Sequence, residues 1–350
     1  MGYTTINKST DYFNTKLYSG NDSTNAITGV GFQPDWVWFK GRSVASDHKT
    51  FDVVRGGPNN LIQPNLTNEQ VQTSYFSSIN SDGFTVTGSD NSYNASSQTY
   101  ASWNWKANGT GVANTDGYIA STVSVNTTSG FSIVSYTGNG SAYTVGHGLG
   151  SAPGLIILKN LTTNRNWQIL HHKNTSAPAT QQLEFGLDGT ATVTSQWNSV
   201  MPTASVFTIG TNDSTNKNGD SFIAYCFAEK QGYSKFGSYI GNGNADGTFV
   251  YTGFKPAWIM FKRTDYEPYN WYMLDSKRQG FNSANETLSP NTSSAASSTG
   301  LSVNTLDFLS NGFKMRTNNA EFNSSGATYI YMAFAEAPLV GTNNVPANAR

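Results

Sequence analysis

A three-fold internal repeat constrains what this chain can fold into more than any other feature. Each copy carries a Tyr-x-Gly-Asn turn and, 22 or 23 residues after that Tyr, the Lys that ends an apolar run opened by Pro. The first copy reads Tyr18-Ser19-Gly20-Asn21, then Pro34-Asp35-Trp36-Val37-Trp38-Phe39-Lys40. The second reads Tyr136-Thr137-Gly138-Asn139, then Pro153-Gly154-Leu155-Ile156-Ile157-Leu158-Lys159. The third reads Tyr239-Ile240-Gly241-Asn242, then Pro256-Ala257-Trp258-Ile259-Met260-Phe261-Lys262. The copies also close alike, on residues 100–105, 222–227 and 329–334. Before each closing run comes a shorter strand signal, at 83–86, 206–209 and 312–315, and then an Asn-rich turn, assigned to Asn94, Asn218 and Asn323. Successive turn tyrosines lie 118 and 103 residues apart. That exceeds the roughly 20–50 residues of a solenoid unit and matches the roughly 100–150 of a self-sufficient domain. The expected organisation is a first repeat with an N-terminal arm over 1–107, a linker over 108–129, a second repeat over 130–230, and a third with a C-terminal tail over 231–350.

The local signal is β throughout. Residues 36–39, 131–136, 155–158, 248–251 and 258–261 are short runs rich in β-branched and aromatic residues, bounded by Gly, Asn, Asp and Pro. Several are apolar on both faces, which places them beneath a neighbour on each side. No stretch keeps apolar residues at helical spacing for three turns. A turn or two of helix is expected over 67–76, capped by Asn68, and a short helix or loop over 292–302. The Gly-Asn turns supply residues tolerant of positive φ for hairpins. Pro34, Pro153 and Pro256 stand at strand entrances, where a missing N–H is tolerated. The expected fold class is all-β: three tandem antiparallel β-sandwich domains, jelly-roll or lectin-like.

Composition narrows the function. Charged residues make up 12% of the chain, against an ordinary share of about 25%. The net charge is −1 and no basic run exists, so neither nucleic acid nor an anionic membrane is an expected partner. No apolar segment is long enough to span a bilayer, and the N-terminus lacks a signal core, so no membrane insertion is expected. The single cysteine, Cys226, excludes an internal disulfide and any multi-Cys metal site. It reads as a small buried hydrophobe.

Catalytic groupings are scarce. Glu229 and Glu336 recur at one repeat position, which marks structural partners rather than the two carboxylates roughly 5–10 Å apart of a glycosidase. Asp52 with Arg55, and Asp275 with Arg278, match across the first and third copies, where the second offers His171-His172-Lys173. They are the candidate binding residues, either gripping a sugar or partner loop in a cleft or anchoring their own loops as salt bridges; recurrence favours the salt bridge. His171 and His172 are strand neighbours and point to opposite faces, and only His48 and His147 remain to join them, so no metal is expected. Trp36 with Trp38 and Trp103 with Trp105 have the spacing of a stacking platform. The second copy puts Leu155 and Ile157, and Tyr225 and Phe227, in their places, which favours core. No cofactor and no enzymatic activity are expected.

The runs Gly29-Val30-Gly31-Phe32-Gln33-Pro34-Asp35-Trp36-Val37-Trp38, Phe227-Ala228-Glu229 and Tyr329-Ile330-Tyr331-Met332-Ala333-Phe334-Ala335-Glu336 are similar to motifs of tandem-repeat virion proteins of tailed bacteriophages, the marine and cyanophage tail-fibre-like family. The resemblance spans Tyr3 to the end and transfers no catalytic residue. It implies a structural protein on the exterior of the phage particle, assembled in the host cytoplasm. The leading role is a tail-fibre or receptor-binding component contacting a host surface glycan or outer-membrane receptor. The alternative is a capsid decoration or head-fibre protein, and a polysaccharide depolymerase ranks below both. Implied partners are other virion proteins of tail or capsid, and a homo-oligomer, with a trimer favoured. Three similar domains in one chain offer a second route to a three-fold shape. Loops 59–72, 174–182 and 283–299 are expected to form the contact surface, and residues 1–11 a docking arm.

Overall fold

Every central strand of the repeat buries both of its faces, and this organises the architecture of the computed structural model, which describes residues 3–185, 191–192, 195–266, 268–296 and 305–340. The central strands are Trp36–Gly41, Leu155–Asn160 and Phe254–Arg263. Side chains alternate across a strand, so Trp36 and Trp38 point one way while Val37 and Phe39 point the other. All four are at most 1% exposed.

Each central strand lies in an antiparallel sheet of one repeated order: opening strand, closing strand, central strand, flanking strand. In the first copy these are Phe13–Ser19, Thr99–Trp105, Trp36–Gly41 and Lys49–Asp52. In the second they are Phe131–Thr137, Ser221–Phe227, Leu155–Asn160 and Gln168–His171. In the third they are Ser234–Ile240, Thr328–Pro338, Phe254–Arg263 and Tyr272–Asp275. The register repeats as well: Trp36 faces Trp105, Leu155 faces Phe227 and Trp258 faces Phe334.

One face of each sheet packs on a smaller antiparallel sheet of its own copy. In the first copy that sheet is Asn25–Ile27, Gly83–Val86 and Phe76–Asn80, and Ile27, Phe76, Phe84 and Val86 meet Val37, Phe39 and Phe51. Tyr143–Gly146 with Val206–Ile209, and Phe249–Tyr251 with Gly312–Met315 and Leu306–Leu309, serve the other two copies. The opposite faces all meet in one cluster drawn from the three copies, including Trp36, Trp103, Leu155, Tyr225, Trp258 and Met332. At its centre the last closing-strand aromatics meet pairwise: Trp105 to Phe227 at 6.4 Å, Trp105 to Phe334 at 5.7 Å and Phe227 to Phe334 at 5.8 Å between ring centroids. The four strand tryptophans of the first copy are therefore core, and so is Cys226.

Three expectations need correction. Residues 108–129 do not form a linker: Val112–Asn114 and Ser121–Asn126 are strands that extend the second copy's sheet to six. Residues 67–76 form no helix. They include the short strand Val71–Gln72, and Gln70 N donates to Leu161 O of the second copy, tertiary pairing having overridden the cap signal at Asn68. The copy-two counterpart of Asn94 and Asn323 is Asn216, which ends the single helical turn Asp213–Asn216, whereas Asn218 is exposed. Over 292–302, residues 292–296 form no helix or strand and the rest lie outside the described residues.

Candidate functional site

The residues singled out for binding sit at the end of the flanking strands, where the chain turns sharply. Asp52 Oδ1 accepts from the backbone N–H groups of Val54 and Arg55, both at 3.0 Å, and Asp275 Oδ1 accepts from Lys277 at 3.0 Å and Arg278 at 2.8 Å. Each carboxylate then binds its own arginine: Arg55 Nε and Arg278 Nε lie 2.5 Å from Asp52 Oδ2 and Asp275 Oδ2. The guanidinium groups also donate to strand carbonyls, Arg55 to Thr50 O at 3.2 Å and Arg278 to Met273 O at 3.0 Å. All four side chains are at most 1% exposed. These are buried, hydrogen-bonded ion pairs.

Their remaining partners come from other copies. Tyr225 Oη of the second copy donates to Asp52 Oδ2 at 2.7 Å, and Trp103 Nε1 of the first donates to Asp275 Oδ2 at 3.2 Å. Burial first, and then the Asp52 charge, hold the Tyr225 phenol well above its ordinary pKa, so it remains a donor. At the same position of the second copy, His171 Nδ1 accepts from Lys173 N at 3.2 Å, which leaves Nε2 to donate to Tyr331 O of the third copy at 3.0 Å. Burial lowers the His171 pKa to about 4, consistent with this neutral tautomer. Copy one thus touches three, two touches one, and two and three meet through His171.

A second set of contacts follows the same cycle, four residues upstream, just before each flanking strand begins. His48 Nε2 donates to Ser289 O at 3.0 Å, since its Nδ1 accepts from Trp38 Nε1 at 2.9 Å. Trp167 Nε1 donates to Gln63 O at 3.0 Å and Trp271 Nε1 to Glu184 O at 2.7 Å. The three acceptors each follow a residue whose carbonyl binds the flanking strand: Ile62 to Thr50, Leu183 to Ile169 and Leu288 to Met273. Sequence reading missed this ring because its acceptors are backbone carbonyls, which leave no side-chain signature.

The closing Lys of each repeat is also turned inward. Lys159 Nζ donates to Thr67 O of the first copy at 2.9 Å and to Arg165 O at 2.6 Å, while Lys40 and Lys262 reach Gly41 O and Tyr269 O. Burial brings Lys159 down to about 7 and Lys40 to about 8. Identity in all three copies was the signal that could have flagged these lysines. His172 approaches Glu229 at 3.6 Å, and among the described residues no group of three metal-ligating side chains is found.

What remains outside is sparse and aromatic. A cleft of about 540 Å³ beside the Asp52 turn is lined by Gln33, Val53, Pro58, Ile79 and Thr110, while the Asp52 carboxylate is already engaged. Tyr118, 70% exposed, stacks on Tyr143 with ring centroids 3.9 Å apart. Arg263 lies 5.2 Å from the ring centre of Tyr266 and 5.1 Å from that of Tyr269. Of the expected contact loops, 59–72 is docked on the second copy through Thr67 and Gln70. In 283–299, Ser293 O and Ala296 N bond to Ser46 and Arg42 of the first copy, and residues 297–299 lie outside the described residues. Loop 174–182 holds the short 3₁₀ turn Pro178–Thr180 and the strand Gln181–Gln182.

A family model described as Domain of unknown function (DUF7483) matches residues 8–338. No curated protein and no solved structure matches the chain.

Proposed function

The chain belongs to the DUF7483 family, and from that premise we propose that it is a structural protein on the exterior of a tailed-bacteriophage particle. It is built as three tandem antiparallel β-sandwich units of jelly-roll or lectin-like type related by internal repeat. Its role is that of a tail-fibre or receptor-binding component that contacts the host surface, with other virion proteins as its neighbours. The observation that carries this reading is the fate of the recurring polar residues. Asp52, Arg55, Asp275, Arg278, His171 and the repeat lysines all turn inward; Asp52, Asp275, His171 and Lys159 bond across copies, while Lys40 and Lys262 brace their own. A body that commits its charges to self-cohesion is a scaffold, and its working surface is what the scaffold displays. The Tyr118–Tyr143 stack and the Tyr266–Arg263–Tyr269 group present flat, amphipathic faces of the kind that take sugar rings.

Capsid decoration is the second reading, favoured by a specific observation. The three copies close around one core, and no elongated shaft is found among the described residues. Cryo-electron microscopy of intact particles, with and without host cells, separates the two. Density for this chain at the tail tip against the host envelope supports adhesion. Regular copies over the capsid overturn the tail-fibre reading in favour of decoration, and absence from the particle removes both.

A further inference from the structure

The second copy is finished along an edge that the third leaves bare. In the second copy, Ser121–Asn126 pairs antiparallel with the opening strand and Val112–Asn114 adds outside it. The chain between them crosses to the smaller sheet, where Ile119 N donates to Thr144 O at 3.0 Å. In the third copy, among the described residues, the opening strand Ser234–Ile240 pairs with its closing strand and, beyond a bridge from Ser234 to Lys230, with no other strand, and Phe249–Tyr251 pairs only with Gly312–Met315. Thr248 Oγ1 donates to Ile240 O at 2.8 Å and sets these two edges side by side. Ile240, Phe249 and Tyr251 are 54%, 44% and 48% exposed there.

Part of this edge is already used. Phe236 N donates to Glu229 Oε1 at 2.8 Å, and Phe236 O accepts from His172 Nε2 at 2.6 Å. The open stretch is therefore residues 238–240, less the Ile240 carbonyl that Thr248 already binds, flanked by Phe249–Tyr251, whose Tyr251 hydroxyl lies 3.5 Å from that of Tyr3. Sheet edges are ordinarily guarded by charge, proline or a bulge. Here the opening strand pairs without a register shift and contains no proline. Its one charge, Lys235, lies with Nζ 5.7 Å from the centre of the Tyr251 ring.

We propose that residues 238–240 and Phe249–Tyr251 form a self-association surface, on which the same edge of a second copy of this chain adds antiparallel about a two-fold axis. An edge strand's backbone is its own complement in the antiparallel sense, and this chain completes the equivalent edge of its second copy in that way. A two-fold axis closes both of these edges at once. The apolar side chains meet their own counterparts, and Lys235 is held aside over the Tyr251 ring. The three-fold relation is internal to one chain, so association of whole chains falls to this periphery.

Sedimentation velocity on the full chain, from about 1 to about 100 µM, tests this without reference to any particle. The expected result is a reversible monomer–dimer equilibrium. Ile240→Lys with Phe249→Lys weakens it more than about tenfold by opposing like charges across the pair, with the melting temperature unchanged at dilutions where both proteins are monomeric. Val112→Lys, on the finished edge of the second copy, leaves association as it was. Amide exchange at Ser238 and Ile240 slows as wild-type concentration rises. A monomer throughout, a trimer, a dimer indifferent to the double substitution, or one abolished by Val112→Lys overturns the proposal.

Discussion

Asp52 has each oxygen committed, Oδ1 to its own turn and Oδ2 to Arg55 and Tyr225. Tyr225→Phe removes a hydrogen bond to a charged acceptor and is expected to cost about 1.5–3 kcal/mol in chemical denaturation. Arg55→Ala strands a buried carboxylate and is expected to cost more, about 3–5 kcal/mol. Equal losses would mean that the ion pair anchors the turn no more firmly than Tyr225 does. His171 sets a pH dependence. It is neutral when folded, with a pKa lowered to about 4, and titrates near 6.5 when unfolded. As pH falls from 6.5 towards 4 the unfolded state binds more protons, so stability is lost through that window, by about 3 kcal/mol from this residue. His48 is lowered in the same direction. His171→Gln is therefore expected to flatten part of the acid slope in denaturation midpoints, and an unchanged slope would refute the assignment. The Asp–Arg anchors were legible in the sequence because like residues recurred at like positions. The Tyr225 and Trp103 contacts were not, because their partners lie more than 170 residues away.

Among the elements, the Asn turn shows how a repeat can mislead by two residues. Asn94, Asn216 and Asn323 are each fully buried, and the side-chain oxygen of each accepts from the backbone N–H of the Gly-Asn turn at Asn21, Asn139 and Asn242. Asn216→Ala strips these partners and is expected to cost about 1–3 kcal/mol. Asn218→Ala, at an exposed position, is expected to stay within about 0.5 kcal/mol. Thermal melts of the two variants rank them, and the reverse order would restore the spacing-based assignment. Composition placed the central strands well because a short run of β-branched and aromatic residues bounded by Gly, Asn and Pro is carried by many side chains at once. Spacing misplaced this turn because two asparagines competed and only three-dimensional closure chose between them. Residues 112–126 read as linker for a related reason: alternating Ser, Thr and Val is weak evidence for a strand until a partner edge is known.

Over the whole molecule, the shared cluster decides how the chain unfolds. Each large apolar side chain in it contributes about 1.5–3 kcal/mol when buried, and separating one copy uncovers many of them at once, Trp36, Tyr225, Trp258 and Phe334 included. Calorimetry is expected to show one transition whose van't Hoff and calorimetric enthalpies agree; three resolved transitions would restore copies that stand alone. Sequence reading named the central- and closing-strand members of this cluster as core but gave each copy a private one, since hydrophobic pattern records that a face is covered and not by which neighbour. The contacts around the cluster have a further consequence. An assembly of identical subunits must place one side chain at every symmetry-related position, so a substitution there is made three times or not at all. Here Trp103, Tyr225 and Met332 occupy one such position, and Asp52, His171 and Asp275 another. Covalent continuity releases each copy from its siblings, and a single codon can re-tune one contact between copies while the other two keep their grip.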